Sequence, residues 1–260
     1  MNDTYIPSGG PAGKLRRLAA RQLARQPLQI VLNRALISFT FDDFPRSAAW
    51  TGADILERFG WRATYFAAAG YAGSQNHLGA LFKPGDLLRL RTAGHEIGCH
   101  TYGHLDSGCA PVEAVMADCA RNRRALAAMG HESELGVFAF PYGEASPATK
   151  KALSQRYRAL RGVQPGINRG HADRALLKAV PLDGGKAGLA RALDAVRDAA
   201  ANPGWLIFYG HDVSERPSQW GCTPDFLDEV CQLAADLSCR VMTMGDALTR
   251  IETPQAERVS

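Results

Sequence analysis

The stretch Ala35-Leu-Ile-Ser-Phe-Thr-Phe-Asp-Asp43 decides the reading of the fold. A short run of strand formers ends abruptly on two carboxylates, as a buried strand does where it gives way to a loop. The pattern repeats outward from it. Strand-like runs are expected at 62–69, 95–100, 136–140, 157–163, 175–182, 204–209 and 239–244. Helical periodicity lies between them, at 48–59, 85–92, 111–129, 147–155, 187–201 and 224–237. Gly60, Gly94 and Gly130 stand where the first three of these helices should stop. Strand–helix alternation predicts an α/β fold with a parallel sheet covered by helices. Seven or eight such units favour closure into a barrel over an open sheet.

Composition narrows the class. The chain has 260 residues, 46% hydrophobic and 22% charged, which excludes a disordered or collagen-like polymer and favours one large domain. No run approaches the roughly 18 apolar residues that span a bilayer. The net charge of +4 is mild, and the only basic cluster is Lys14, Arg16, Arg17, Arg21 and Arg25. A nucleic-acid binder carries a denser basic stripe interleaved with aromatics, so that class is set aside. Six cysteines form no CxxC pair, and the first 26 residues lack the apolar core and cleavage site of a secretory signal. Both point to a reducing cytoplasm. Residues 14–25 read as an amphipathic helix, with Leu15, Leu18, Ala19 and Leu23 at helical spacing. It is expected to lie against the domain, with a second subunit or a peripheral contact to anionic lipid as alternatives. The expected organisation is an extension at 1–34, a barrel at 35–250 and a tail at 251–260.

Barrels carry their chemistry on loops at the C-terminal ends of strands. Polar, reactive side chains do collect there: Asp42 and Asp43, His100, Pro141-Tyr142-Gly143, and His211 with Asp212. His100-Thr-Tyr-Gly-His104 sets two imidazoles four residues apart, which on a helical turn lets both reach one zinc ion. Alone, such a pair reads better as a surface turn with two solvated histidines. Asp42-Asp43 changes the balance, because one carboxylate can ligate a metal while its neighbour stays available as a base. Two histidines, one aspartate and a water make the open tetrahedral site that hydrolytic zinc requires. His211 can deliver a proton to a leaving amine, since imidazole titrates near the working pH. The Pro141–Gly143 turn can present the Tyr142 N–H to a developing oxyanion.

Four segments, Thr40-Phe-Asp-Asp43, His100-Thr-Tyr-Gly-His104, Phe140-Pro-Tyr-Gly143 and Phe208-Tyr-Gly-His-Asp212, together resemble the polysaccharide deacetylases, carbohydrate esterase family four. They occur in the family's order and cover roughly Ala35 to Leu248. The resemblance implies a distorted (β/α) barrel of about seven parallel strands that removes acetyl groups from N-acetyl sugars with a divalent metal, zinc above others. By motif position Asp42 is the general base, and Asp43, His100 and His104 are the metal ligands. His211 is the general acid and Tyr142 lends its N–H to the oxyanion hole. Pro141, Tyr142 and Trp220 are the expected substrate contacts, Trp220 by stacking on a sugar ring. The chain also departs from the pattern. Where the family places the arginine that tethers the base, three residues before the motif tyrosine, stands Ala139. Arg161 is the candidate replacement. Phe44 replaces a glycine after the two aspartates, and the segment that orients the catalytic histidine has no clear counterpart.

Without an export signal, the expected substrate is an acylated amino sugar in a cytoplasmic, nucleotide-linked or lipid-linked precursor of a surface polysaccharide such as O-antigen or capsule. Two other readings use the same residues: a deformylase, amidase or cyclic-imide hydrolase on this barrel, and an inactive carbohydrate-binding protein. The loops 162–168 and 217–222 are expected to flank the site. Cys99, Cys109, Cys119, Cys231 and Cys239 read as packing residues, and His77, His131 and His171 as loop histidines.

Overall fold

The structure is a computed structural model in which residues 9–253 are described. Residues 1–8 of the expected extension and 254–260 of the expected tail lie outside them. The barrel strands are β2 (Leu36–Asp42), β3 (Thr64–Ala67), β6 (Glu96–Cys99), β7 (Val137–Ala139), β8 (Ala159–Arg161), β10 (Val180–Pro181), β11 (Trp205–Gly210) and β12 (Arg240–Val241). Four more form two antiparallel ribbons: β1 (Pro27–Ile30) with β9 (Gly170–Asp173), and β4 (Gln75–Asn76) with β5 (Gly79–Ala80). The helices are α1 (Pro11–Gln22), α2 (Ala53–Arg58), α3 (Pro84–Thr92), α4 (Val112–Ala128), α5 (Pro147–Leu153), α6 (Gly185–Ala201), α7 (Pro224–Asp236) and α8 (Met244–Glu252).

The main sheet runs β10–β11–β2–β3–β6–β7–β8, every pairing parallel, with β12 beside the first residues of β2. The segment 174–181 joins its edges. Leu177 donates to the carbonyl of Leu160 and accepts from Gly162, both at 2.9 Å, while Val180 pairs with Phe208. The sheet therefore bends into a distorted barrel.

Strand alternation divides the side chains between two packed layers. Ile37, Phe39 and Phe41 of β2 join the core under the helices, with Leu206 and Phe208 of β11. Leu36, Phe66, Val137, Ala159, Trp205 and Ile207 belong to a separate interior cluster. Ser38 shares the interior phase and accepts a 3.0 Å hydrogen bond from the Trp205 indole N–H, which satisfies both buried polar groups. The helices close over the outer layer in the usual way. In α7, Pro224 opens the first turn and the Thr223 hydroxyl accepts from Phe226 N–H at 3.2 Å. Its buried stripe is Phe226, Leu227, Val230, Cys231 and Ala234.

Three features differ from the sequence expectation. The final pattern, read as a strand over 239–244, is a two-residue strand followed by α8, whose Met244, Leu248 and Ile251 join the interior cluster. The start of α8 seals the N-terminal end of the barrel: Met244 N–H donates to Thr64 Oγ1 at 2.9 Å and Gly245 N–H to Glu96 at 3.0 Å. Pro27–Ile30, assigned to the extension, is strand β1, paired with β9. Two-residue strands and ribbons carry too few residues for their period to register. The N-terminal helix begins at Pro11 and ends at Gln22, before the expected 25.

That helix packs on its own barrel. Arg16 and Arg17 bind Glu144 at 2.9 and 2.7 Å. Lys150 of α5, fully buried, donates to the carbonyls of Ala20 at 2.6 Å and Leu23 at 3.1 Å, and to Asp173 at 2.7 Å. One ammonium thus joins α1, α5 and β9 with all three of its N–H donors used. Lys150→Met removes that charge and strands a mostly buried carboxylate, so it is expected to destabilise the chain by about 3 kcal/mol. Urea unfolding of the two proteins checks this; an unchanged midpoint would refute the anchoring role.

Candidate active site

The site forms where β2, β6, β7, β8 and β11 end. Asp42, His100 and Arg161 share the interior phase of their strands, so strand alternation alone turns them into the barrel mouth. Arg161 is fully buried and its Nη2 lies 2.5 Å from both oxygens of Asp42. The guanidinium lies between two aromatic faces, 5.3 Å from the Phe66 centroid and 5.2 Å from that of Tyr209. Burial raises the Asp42 pKa, but the positive charge of Arg161, with His100 and His211, outweighs it and holds the carboxyl below the usual range. Asp42 is a carboxylate.

Asp43 follows in the opposite phase and would turn away from the mouth. A left-handed backbone, φ 53°, brings it back. Asp43, His100 and His104 are all buried, and each offers a ligand atom within 4.8 Å of the others. His104 Nε2 stands 3.7 Å from Asp43 Oδ2. His100 Nδ1 lies 2.9 Å from the carbonyl of Ala139. A carbonyl only accepts, so Nδ1 carries the proton and Nε2 presents its lone pair. Burial, reinforced by the charges of His104 and Arg161 against that of Asp42, pulls the His100 pKa down to about 3 and keeps the ring neutral. Two neutral-capable imidazoles and one carboxylate suit a divalent ion and leave positions open for water and substrate.

The helical turn anticipated for His100–His104 is absent. The segment is a loop, and left-handed Thr101 (φ 59°) and His104 (φ 54°) bring the two rings to 4.8 Å between centroids. Thr101 Oγ1 accepts from Leu105 N–H at 2.9 Å and fixes the bend. Tyr142 is also left-handed, φ 58°, with its ring edge-on to His104 at 4.3 Å. Gly143 follows at φ 67°, where a Cβ would stand 2.1 Å from Val163, so this turn admits no other residue unstrained. Asp43, Thr101, His104 and Tyr142 are four of the six described non-glycine residues at positive φ, and backbone strain of this kind gathers at functional sites.

His211 follows β11, half-buried, with Nδ1 3.2 Å from the carbonyl of Trp220. The partner of this ring nitrogen is thus a backbone carbonyl and not a carboxylate. Asp212 stiffens the loop by accepting from Ser218 N–H at 2.8 Å and Ser218 hydroxyl at 2.5 Å. The Trp220 side chain is 46% exposed beside His211. Pro141 is buried under the turn that carries Tyr142.

Other residues fall elsewhere. Phe44 does not wall the mouth; it is buried in a stack with Phe82, centroids 4.1 Å apart. Loop 162–168 flanks the site only at its start, through Val163, and ends at the opposite end of the barrel where Asn168 bonds Trp205. Cys109 is exposed against Arg16 at 2.8 Å, contrary to its packing assignment. His131 is buried and His95 is held by Ala63 N–H and Glu57 at 2.9 Å each.

Residues 31–158 match the family model described as polysaccharide deacetylase. A chitin deacetylase of Colletotrichum lindemuthianum is 32% identical over 90 residues, 34% of this chain and 35% of that relative's length. The solved chitin deacetylase of that fungus superposes with a TM-score of 0.64 at 18% identity, covering 86% of this chain and 91% of the other. The family 4 acetyl xylan esterase of Clostridium thermocellum, solved with a cobalt ion, gives 0.60 at 19% identity, covering 84% and 93%. The match to the polysaccharide deacetylase family is thus carried by residues 31–158, and the fold of the chain is that of the family 4 carbohydrate esterases.

Replacing any one of Asp43, His100 and His104 by alanine should lower affinity for added cobalt by about 10-fold or more. Titration followed by the cobalt absorption bands measures this, and full affinity in all three variants would rule out the assigned ligand set.

Proposed function

We propose that the chain is a metal-dependent N-deacetylase acting on an acylated amino sugar, with zinc as the ion. The observation that carries the reading is the convergence at one barrel mouth of a tethered carboxylate, Asp42, and the ligand group Asp43, His100 and His104. The cobalt bound in the Clostridium thermocellum relative supports a divalent ion here. Such an ion, when bound, supplies electrophilic activation of the acyl carbonyl and lowers the pKa of water at the site.

The chain's residues do the rest. Asp42, held anionic by Arg161, accepts the proton of the attacking water. The Tyr142 N–H, fixed by its left-handed turn, stabilises the oxyanion of the tetrahedral intermediate. His211, with Nδ1 oriented by the Trp220 carbonyl, delivers a proton from Nε2 to the departing amine. Trp220 offers an exposed indole face for a sugar ring, and Pro141 shapes the floor. The products are acetate and a free amino sugar. No helix among the described residues is long and apolar enough to cross a membrane. The free cysteines support a cytoplasmic precursor of a surface polysaccharide as substrate.

Acetate and formate release from N-acylated sugar nucleotides and oligosaccharides tests the reading. Asp42→Asn and His211→Ala should each lower kcat by about 10²- to 10⁴-fold. Undiminished turnover in Asp42→Asn would exclude the general-base role, and release of formate alone would move the assignment to a deformylase.

Arg161 gives a pH test. Asp42 works as the anion, so activity falls as pH drops through its pKa. Without Arg161 the effect of burial is less opposed and that pKa rises. In Arg161→Met the acid limb of kcat/KM should therefore move to higher pH, with partial return in Arg161→Lys. A limb that stays in place would show that Arg161 does not tune the base.

A further inference from the structure

A second polar concavity lies on the flank of the barrel, away from the catalytic residues. It is a cleft of about 360 Å³ between α1 and the chain from Gln164 to Lys178, and its lining includes Arg21, Arg25, Arg169 and Lys178. Arg169 is engaged by Asp198 at 3.0 Å. The charged ends of Arg21, Arg25 and Lys178 have no hydrogen-bond or ion-pair partner among the described residues. Asp173 is the one carboxylate in the lining, and it is already committed: Lys150 takes one oxygen at 2.7 Å, and the N–H groups of Gln26 and Ala175 take the other at 2.8 and 3.0 Å. Three cations thus face one cleft uncompensated, an arrangement that attracts an anion from outside the chain.

The same helix carries an apolar face. Leu15 and Leu18, three residues apart on α1, are 67% and 54% exposed, and Leu23 just beyond it is 55% exposed. Leu18 also lines the cleft, so apolar and cationic surfaces are continuous. A binder of soluble phosphate needs the cations and gains nothing from exposed leucines. A phospholipid surface uses both, headgroups meeting the arginines and acyl chains the leucines.

We propose that α1 and the adjoining cleft dock this protein onto an anionic lipid surface, with Arg21, Arg25 and Lys178 reading the headgroup phosphates and Leu15, Leu18 and Leu23 entering the acyl boundary. The docking is independent of the catalytic reading.

Co-sedimentation of the full chain with vesicles tests it, using phosphatidylcholine alone and phosphatidylcholine mixed with phosphatidylglycerol, at low and high salt. Binding is expected to the mixed vesicles only, and to weaken with salt. Two reversed charges in Arg21→Glu with Arg25→Glu should weaken it by roughly tenfold or more. Leu15→Ser with Leu18→Ser should abolish it, and Lys178→Glu on the barrel wall should weaken it to a lesser degree. Thermal unfolding of each variant confirms that α1 stays anchored through Lys150. Three outcomes overturn the proposal: no binding to mixed vesicles at low salt, binding unaltered in folded variants, or capture of inorganic pyrophosphate by the cleft with no vesicle binding.

Discussion

Arg161 reaches from β8 to Asp42 on β2, across a mouth whose sheet path places β3, β6 and β7 between those strands. A guanidinium with no exposed surface is costly to desolvate, and three things offset that cost. Asp42 supplies the counter-charge, Gly162 carbonyl accepts from Nη1 at 3.2 Å, and the faces of Phe66 and Tyr209 enclose the cation. Each of these depends on the others. The barrel must bend enough for β8 to face β2, Phe66 and Tyr209 must sit in the interior phase, and the Cα of Gly98 must stay bare, since a Cβ there would lie 2.5 Å from the Phe66 ring. Lysine has the charge but lacks the flat cation that stacks between two rings.

The register relates this arginine to the position of Ala139, where the resemblance would place one. Ala139 and Arg161 are direct partners across β7 and β8. They stand at one height and in one phase, so an arginine moved one strand sideways still points into the same mouth. The carbonyl of Ala139 in turn fixes the tautomer of His100. Asp42, through Arg161, and His100, through Ala139, are therefore positioned by neighbouring residues of a single strand pair.

The sequence made the barrel legible because long helices and the seven-residue β2 leave clear periods. It could not show the β1–β9 ribbon, because elements of four residues carry no period of their own. The α8 plug was hidden for a different reason: its first apolar residue, Met244, also extends the strand pattern before it. At the site, Asp42, Asp43, His100 and Arg161 stand out in the sequence because each closes a strand-like run. Alternation alone would turn Asp43 away, and the helical turn expected over His100–His104 is a loop, so the positive φ of Asp43, Thr101, His104 and Tyr142, which no sequence period registers, sets the final arrangement. The partner of His211 was illegible in principle, because it is a backbone carbonyl and any residue at 220 would supply it.

The N-terminal helix connects these layers. Its first turns hold Glu144, two residues beyond Tyr142, through Arg16 and Arg17, and its end is clamped by Lys150 and, through Asp173, by β9. It therefore runs along the flank from the Tyr142 turn toward the end where α8 seals the barrel. Glu144 is almost fully buried and needs both arginines for its charge to be stable, so the turn that positions Tyr142 and the seating of α1 are one electrostatic unit. A surface that pulled α1 outward would draw Arg16 and Arg17 from Glu144 and loosen the turn. One that met only the outer leucines and the cleft cations would leave that unit intact. The division of arginines on the helix and just beyond it supports the second arrangement: Arg16 and Arg17 are spent on Glu144, and Arg21 and Arg25, lining the cleft, are not.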